Sequence, residues 1–168
     1  MMASVTTKLM LATALVALSA CATKKQPLPP APSAQPAPNY QPQGDGIVPG
    51  SRADFQRSVT SDTIHFAFDR YDVDAPNQSI LDSQIAWLAK WPNVAISIEG
   101  HCDERGTREY NLALGDRRAN STKNYLIAHG IAASRITTIS YGKERPIALG
   151  SDEASWAQNR RAVTIVLN

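Results

Sequence analysis

The sequence predicts an α/β (α+β) two-layer sandwich in which helices pack on one mixed four-stranded sheet. Two observations support this prediction. Strand and helix patterns follow one another in the order β-α-β-α-β-β between residue 59 and the end of the 168-residue chain. The longer helix pattern also carries a stripe of small residues, which would let that helix lie close to a sheet. A chain of this length allows one core of ordinary size.

Four segments have the composition of strands. Apolar and β-branched residues alternate with small or polar ones in the second of them, where Val94, Ile96 and Ile98 share one face. The residues from 100 to 106 that follow are rich in polar side chains and glycine, and we expect a loop there. The predicted strands cover residues 63–68, 94–99, 136–141 and 161–167.

Capping residues set the bounds of the helices. Asp74 is a plausible N-cap, and Pro76 lies in the first turn of a helix that runs to about Lys90. A second helix is expected over residues 109–129, ending at Gly130, which suits a left-handed C-cap. A short helix is expected near residues 154–158. The apolar face of the first helix has Leu81, Ile85 and Leu88, and the stripe of the second has Leu112, Gly115, Ala119, Thr122 and Leu126.

The N-terminus has the features of an export signal. Lys8 precedes an apolar run too short to span a bilayer, and the run ends in Leu18-Ser19-Ala20-Cys21. This ending resembles the lipobox of bacterial lipoproteins, which implies cleavage before Cys21 and covalent N-acyl and S-diacylglycerol lipid on that residue. The residues after Cys21 are not the aspartate that retains lipoproteins in the inner membrane, so the resemblance points to the outer membrane. A plain secretory signal with an incidental cysteine is the alternative.

Composition divides the rest of the chain into two parts. Residues 21–58 are rich in Pro and Ala and are expected to form an extended, flexible linker after the signal peptide of residues 1–20. A docking ligand for aromatic grooves is the other interpretation of such a segment. The folded domain is expected over residues 59–168. From Thr60 onward there are 12 Lys and Arg against 13 Asp and Glu, a balance that argues against nucleic acid as a partner.

Several polar motifs occur in a fixed order along the domain. They include Gly100-His101-Cys102-Asp103-Glu104-Arg105-Gly106-Thr107, Tyr110-Asn111, Arg117-Arg118-Ala119-Asn120-Ser121, Ser140-Tyr141-Gly142-Lys143-Glu144-Arg145-Pro146 and Asn159-Arg160-Arg161-Ala162-Val163. Together they resemble the OmpA-like peptidoglycan-binding domain family over roughly two-thirds of the chain. The resemblance implies a non-catalytic domain without a cofactor. Its ligand would be the peptide stem of peptidoglycan, held by the diaminopimelate residue.

The resemblance also implies which residues bind this ligand. Asp103 would take the ammonium of diaminopimelate, and Arg118 would take the carboxylate at the same carbon. Asn111 would be a weaker contact. Further contacts would come from Gly106 and Thr107 at the start of the helix and from Asp69 with Tyr71 on the other side.

Partners are implied by the resemblance as well. Lipid-anchored members of the family also dock the β-propeller protein TolB through a surface that overlaps the ligand groove, and TolA with other Tol-system proteins are further expected partners. The expected role is to tether the outer membrane to the wall in envelope integrity and cell division. A domain used mainly for protein contacts in the periplasm is the alternative.

Other interpretations of the same residues remain. Asp103 and Arg118 would form a structural ion pair if the resemblance were set aside. His101 and Cys102 suggest a thiol nucleophile or metal ligands, but adjacent residues leaving a strand point to opposite sides and should not share a proton. Cys102 is then a small, partly buried residue.

At least one of Arg160 and Arg161 is expected to pair with a nearby carboxylate. Trp87 and Trp156 are expected in the core or at its edge rather than as partner anchors. A barrel-anchored porin or a flagellar stator subunit is a rival within the superfamily, but each needs membrane segments of its own.

Overall fold

The computed structural model describes residues 46–167. The predicted signal peptide, Cys21 and most of the predicted linker lie outside these residues. The described part contains helices and strands in the order α1 (Arg52–Ser58), β1 (Thr63–His65), α2 (Ala75–Lys90), β2 (Ala95–His101), α3 (Arg108–Ala128), β3 (Ile136–Gly142), α4 (Glu153–Asn159) and β4 (Arg161–Leu167), with a short 3-10 turn at Ala133–Arg135.

The sheet has the predicted four strands and is mixed. Its order is β1-β4-β2-β3, with β2 and β3 parallel and β4 antiparallel to both β1 and β2. Ile98 at the centre of β2 faces Thr138 of β3 on one side and Thr164 of β4 on the other. The two-layer α/β architecture is therefore confirmed.

One face of the sheet is covered by α2 and α3, and the core lies between these layers. Alternate residues of each strand point into it, which is the consequence of the two-residue period of a strand. The buried side chains include Ile64, Ile96, Ile98, Ile136, Ala162 and Val166 from the sheet and Leu81, Leu88, Ala119 and Leu126 from the helices.

Capping side chains begin the two long helices, α2 at the predicted residue and α3 one residue before its predicted start. The Asp74 carboxylate accepts from the amide of Asn77 at 3.1 Å, with Pro76 in the first turn of α2. The Thr107 hydroxyl accepts from the amide of Tyr110 at 3.2 Å at the start of α3. None of the helices within residues 46–167 is long and apolar enough to cross a membrane.

Three boundaries differ from the sequence prediction by more than one residue. Residues 52–58 were expected to be part of an extended linker, but they form α1, whose Phe55 is fully buried. The strand expected over residues 63–68 stops at His65, because the chain turns at Asp69, which has a positive φ of 56°. Conversely, β2 continues through His101 into the segment expected to be loop.

The longest helix lies very close to the sheet at two glycines. A Cβ atom built on Gly100 would lie 1.9 Å from the carbonyl oxygen of Gly115, and one on Gly115 would lie 2.3 Å from the Ser140 Oγ. The stripe expected on α3 therefore packs as predicted at Gly115. This contact fixes the position of α3, and with it that of Arg118, relative to the end of β2.

Candidate functional site

A cavity of about 260 Å³ opens at the end of β2, beside the first turns of α3. Of the seven binding residues that the resemblance implied, five line this cavity: Asp69, Asp103, Gly106, Asn111 and Arg118. The other lining residues are Phe68, Cys102, Arg105, Tyr110, Leu114 and Arg160.

Thr107 and Tyr71 do not line this cavity. Thr107 is the N-cap of α3, so its side chain serves the helix. Tyr71 is 48% exposed and lines a separate hollow with Asp69, Arg70 and Asp72. The structure therefore places Tyr71 in the adjacent hollow and Thr107 at the start of α3.

Asp103 is buried, with 5% of its surface exposed, and it is paired within the chain. The Arg105 Nη2 donates to Asp103 Oδ2 at 2.5 Å, and the Arg160 Nη1 donates to the same oxygen at 3.4 Å. Burial alone would raise the pKa of Asp103, but these hydrogen bonds and the charge of Arg105 outweigh it and hold the pKa below its usual value. The carboxylate is therefore ionised at neutral pH.

Arg118 is fully buried and forms part of the inner wall of the cavity. Its guanidinium donates to three backbone carbonyls: Nε to Arg70 at 2.8 Å, Nη1 to His101 at 2.8 Å and Nη2 to Ala67 at 3.2 Å. These bonds use three of its five N–H groups. Arg118 thus joins the loop after β1 to the end of β2. Two N–H groups remain beyond these bonds, and the guanidinium also contacts the Cys102 side chain.

The loop between β2 and α3 is held from two sides. The Asn111 amide nitrogen donates to the carbonyls of Arg105 and Thr107 at 2.7 and 3.0 Å. The Lys143 ammonium donates to the carbonyls of Glu104 and Gly106 at 3.0 and 2.7 Å. Both hydrogens of the Asn111 side-chain amide are used in this way. The side-chain oxygen Oδ1 is the atom of this amide that is available to a ligand.

The opposite wall is formed by the loop after β1. Asp69 accepts a short hydrogen bond from the Tyr110 hydroxyl, and Phe68 is 61% exposed at the rim. Asp69 has a left-handed backbone conformation, which Asp adopts more readily than most residues. This turn brings Asp69 and Phe68 to the cavity rather than into β1.

Residues that the sequence analysis did not assign to the site also lie in it. At least one of Arg160 and Arg161 was expected to pair with a carboxylate, and Arg160 does so, since its Nη2 also donates to Glu153 at 2.6 Å. Arg105 was part of the quoted motif without an assigned role. Its guanidinium lies between the rings of Phe68 and Trp156, 4.4 and 4.0 Å from their centroids. Trp156 is at the domain edge, and Trp87 is in the core, as predicted.

The neighbouring His101 and Cys102 do not form a nucleophile and base. The Cys102 thiol donates to the carbonyl of Asn111 at 3.3 Å, and burial raises its pKa. Within the described residues neither ring nitrogen of His101 has a hydrogen-bond partner. The prediction that the two side chains do not share a proton is therefore confirmed, although Cys102 is more deeply buried than expected, at 3% exposed.

No three His, Cys, Asp or Glu side chains among residues 46–167 lie close enough together to hold a metal ion.

Comparisons with known proteins agree with this description. A sequence profile of the OmpA family matches residues 65–160. The peptidoglycan-associated lipoprotein of Rhizobium meliloti (strain 1021) is 49% identical over 151 residues, covering 90% of this chain and 82% of that protein. The peptidoglycan-associated lipoprotein of Agrobacterium fabrum is 53% identical over 119 residues, covering 71% of this chain and 67% of that protein. The crystal structure of the peptidoglycan-associated lipoprotein from Burkholderia pseudomallei is 42% identical with a TM-score of 0.64, covering 68% of this chain and 100% of that one. The chain therefore belongs to the OmpA family and, within it, to the peptidoglycan-associated lipoproteins.

Proposed function

We propose that this protein is anchored in the outer membrane by lipid on Cys21 and binds peptidoglycan non-covalently with its periplasmic domain. The observation that carries the ligand chemistry is that Asp103 and Arg118 line one cavity. Diaminopimelate in the peptide stem presents an ammonium and a carboxylate at one carbon, and such a zwitterion needs one acceptor and one donor of opposite charge. The protein thereby tethers the membrane to the wall without catalysing a reaction.

The roles of the two charged residues follow from their surroundings. Asp103 accepts the ligand ammonium, because its carboxylate is ionised and lies at the cavity wall. Arg118 donates to the ligand carboxylate with the N–H groups that its three carbonyl bonds leave over. The Asn111 carbonyl oxygen, Asp69 and the backbone at Gly106 add polar contacts. Thr107 and Tyr71 act indirectly, by capping α3 and by shaping the adjacent hollow.

The proposal is tested by sedimentation with purified cell-wall sacculi. The soluble chain from Ala22 onward should sediment with the wall, and free diaminopimelate should release it. Asp103→Asn keeps the shape of the side chain while removing its charge, so it should abolish sedimentation. Arg118→Lys should do the same, since one ammonium cannot form the planar pair of hydrogen bonds that a guanidinium offers.

A control is needed because Arg118 also holds backbone carbonyls. Arg117→Ala removes a neighbouring exposed arginine on α3 and should sediment like wild type. Thermal melts of all variants show whether the fold is intact. If folded Asp103→Asn and Arg118→Lys still sediment with the wall, the cavity is not the wall-binding site.

We also propose that the rim of the cavity docks TolB, with TolA and other Tol-system proteins as further partners in envelope integrity and cell division. Three aromatic side chains at or next to this rim, Phe68, Tyr71 and Tyr110, are 61%, 48% and 45% exposed, and exposed aromatic residues are enriched in protein interfaces. Phe68→Ser should weaken TolB binding in a calorimetric titration. Leu149→Ser, which changes a side chain that is 86% exposed, is the matched control. Equal TolB affinity for both variants would count against docking at the rim.

A further inference from the structure

The Asp103 carboxylate has no open acceptor position in this structure. Its Oδ1 accepts from the backbone amide and the Nε of Arg105, both at 3.1 Å. Its Oδ2 accepts from Arg105 Nη2 at 2.5 Å and from Arg160 Nη1 at 3.4 Å. A carboxylate offers about four lone-pair positions, so all of them are occupied by this chain itself. An incoming ammonium must therefore replace a hydrogen bond at Asp103 rather than add one.

Of the two arginines at Asp103, Arg105 is the one that can leave. Arg160 is 5% exposed, and its other nitrogens donate to the Phe66 carbonyl at 3.0 Å and to Glu153 at 2.6 Å. The Arg105 side chain is 32% exposed and lies on the loop between β2 and α3. Its guanidinium lies between the rings of Phe68 and Trp156. When it moves it takes away two of the four hydrogen bonds, because the third Arg105 donor is the backbone amide, which stays.

The charges around the cavity favour the same exchange. Three positively charged residues line it, Arg105, Arg118 and Arg160. Two negatively charged residues, Asp69 and Asp103, line it as well. When Arg105 turns outward, two positive and two negative side chains remain. A zwitterion then enters without changing the balance. A ligand without an ammonium would not replace the positive charge that Arg105 supplied to Asp103, and Asp103 would keep only the longer contact to Arg160, which is unfavourable at a buried site.

We propose that Arg105 is an internal counter-ion that occupies the ammonium position at Asp103 and determines specificity for ligands that bring their own ammonium. This inference rests on the proposed function of the cavity and adds a residue that controls it. Arg105 imposes a free-energy cost on binding, because its hydrogen bonds to Asp103 must be broken. Only a ligand with an ammonium that replaces these bonds can compensate for that cost. N-acetylated stems and plain dicarboxylates are rejected by this exchange.

The test is a calorimetric titration of the soluble chain from Ala22 onward with meso-diaminopimelic acid. Arg105→Ala should bind roughly tenfold more tightly than wild type, since the ligand no longer displaces a charge-assisted hydrogen bond. Arg105→Lys keeps the cation without the planar fork and should lie between the two. Arg108→Ala, which removes an exposed arginine that pairs with Glu144 outside the cavity, is the matched control and should bind like wild type.

A second measurement follows the exchange directly in the unaltered side chain. The Nε–Hε resonance of Arg105 in wild-type NMR spectra should shift to the position of a solvent-exposed guanidinium when the ligand saturates the site. A purely structural arginine would keep its resonance, and its removal would weaken binding.

The outcomes separate this inference from the proposed function. If Arg105→Ala binds as wild type does or more weakly, or if the Nε–Hε resonance does not move at saturation, the counter-ion role is overturned while ligand binding at Asp103 stands. If neither wild type nor folded Arg105→Ala binds diaminopimelic acid, the proposed function and this inference both fail.

Discussion

At the scale of single residues, two glycines and one buried histidine position the backbone around the site. Gly100 and Gly115 let α3 approach β2 more closely than any residue with a Cβ atom allows. His101 ends β2 with its ring buried at 2% exposed and stacked on Tyr141, with ring centroids 5.5 Å apart. Neither feature contacts the proposed ligand. Both act on the backbone that carries Asp103 and Arg118.

Gly100→Ala should destabilise the domain strongly. The added Cβ would overlap the backbone carbonyl of Gly115, which cannot rotate away as a side chain would, so α3 must move off the sheet. We expect the free energy of unfolding in urea to fall by about 3 kcal/mol. Gly130→Ala, where a Cβ meets nothing within 4 Å but φ is +96°, is the control. It should cost only about 1–2 kcal/mol of backbone strain. A smaller loss for Gly100→Ala than for Gly130→Ala would contradict the packing argument.

His101 should make stability depend on pH. Burial, followed by the charges of Arg161 and Arg145, lowers the pKa of His101 to about 4, although the Glu99 carboxylate lies 3.6 Å from its Nε2. Because the unfolded chain takes up this proton near pH 6.5 and the folded one does not, stability is full above that pH and falls as the pH drops toward 4. The loss should be about 3 kcal/mol.

The measurement is urea unfolding between pH 7 and pH 4.5, together with NMR titration of the imidazole. His101→Gln removes the titrating group and should flatten this part of the profile. The pKa of His65 is also lowered, first by burial and then by Arg161 and Arg160, so His65→Gln is a control that changes the profile less because that residue is exposed. A His101 ring that titrates near 6.5 in the folded protein would rule out this origin.

At the scale of elements, the sequence predicted most of the fold because local signals and packing agree. Asp74 and Pro76 gave the start of α2, and the alternation through Val94, Ile96 and Ile98 gave β2. The helix α1 was missed because seven residues with the single large apolar residue Phe55 show no period, and the helix is stabilised by contacts far away in the sequence.

The site was predictable only in part, for a related reason. Motifs indicated Asp103 and Arg118, but not that Arg105, two residues away, folds back onto Asp103. That hydrogen bond depends on the turn of the loop and on the rings of Phe68 and Trp156, which come from distant segments. Local patterns contain no information on such contacts.

The edge strand β1 depends on a side chain from α2. The Asn77 amide donates to the His65 carbonyl at 2.7 Å and accepts from the His65 amide at 3.3 Å, so it pairs with β1 as a further strand would. Asn77→Ala leaves both backbone groups without this partner and should lower the free energy of unfolding by about 1–3 kcal/mol. Hydrogen exchange at His65 should become faster. Asn124→Ala, at an exposed position of α3, should leave stability nearly unchanged. Equal stability of the two variants would show that the Asn77 bonds contribute little.

At the scale of the whole molecule, α1 makes the folded part larger than composition indicates. Phe55 packs edge-on against Trp87 with ring centroids 4.9 Å apart, and the Trp87 indole donates to Asp54 at 3.0 Å. Phe55, and Val59 at the end of the helix, belong to the same core cluster as residues of the sheet and α2, so α1 is joined to the domain through its buried apolar face.

Removing α1 should therefore weaken the domain without unfolding it. A fragment that begins at Thr60 should have a free energy of unfolding about 3–5 kcal/mol lower than one that begins at Gly46, because the pocket of Phe55 is left empty. The fluorescence of Trp87 should shift to longer wavelength as its ring meets water. Arg57→Ala in the longer fragment, an exposed change on the same helix, is the control. Equal urea midpoints for the two fragments would show that α1 adds nothing to the core.

The position of α1 has a mechanical consequence. If Cys21 carries the proposed lipid, tension between membrane and wall would enter the domain at the N-terminal side of α1 and load this helix before any strand of the sheet. Seven residues lengthen from about 10 Å as a helix to roughly 23 Å when extended. Unfolding of α1 would thus lengthen the connection between membrane and wall, while the hydrogen bonds between the strands that hold the cavity stay intact. Pulling on single molecules from the N-terminus should show a reversible extension equal to the difference between these two lengths, at a force below the one that unfolds the sheet. If no such extension is seen, α1 does not unfold before the sheet.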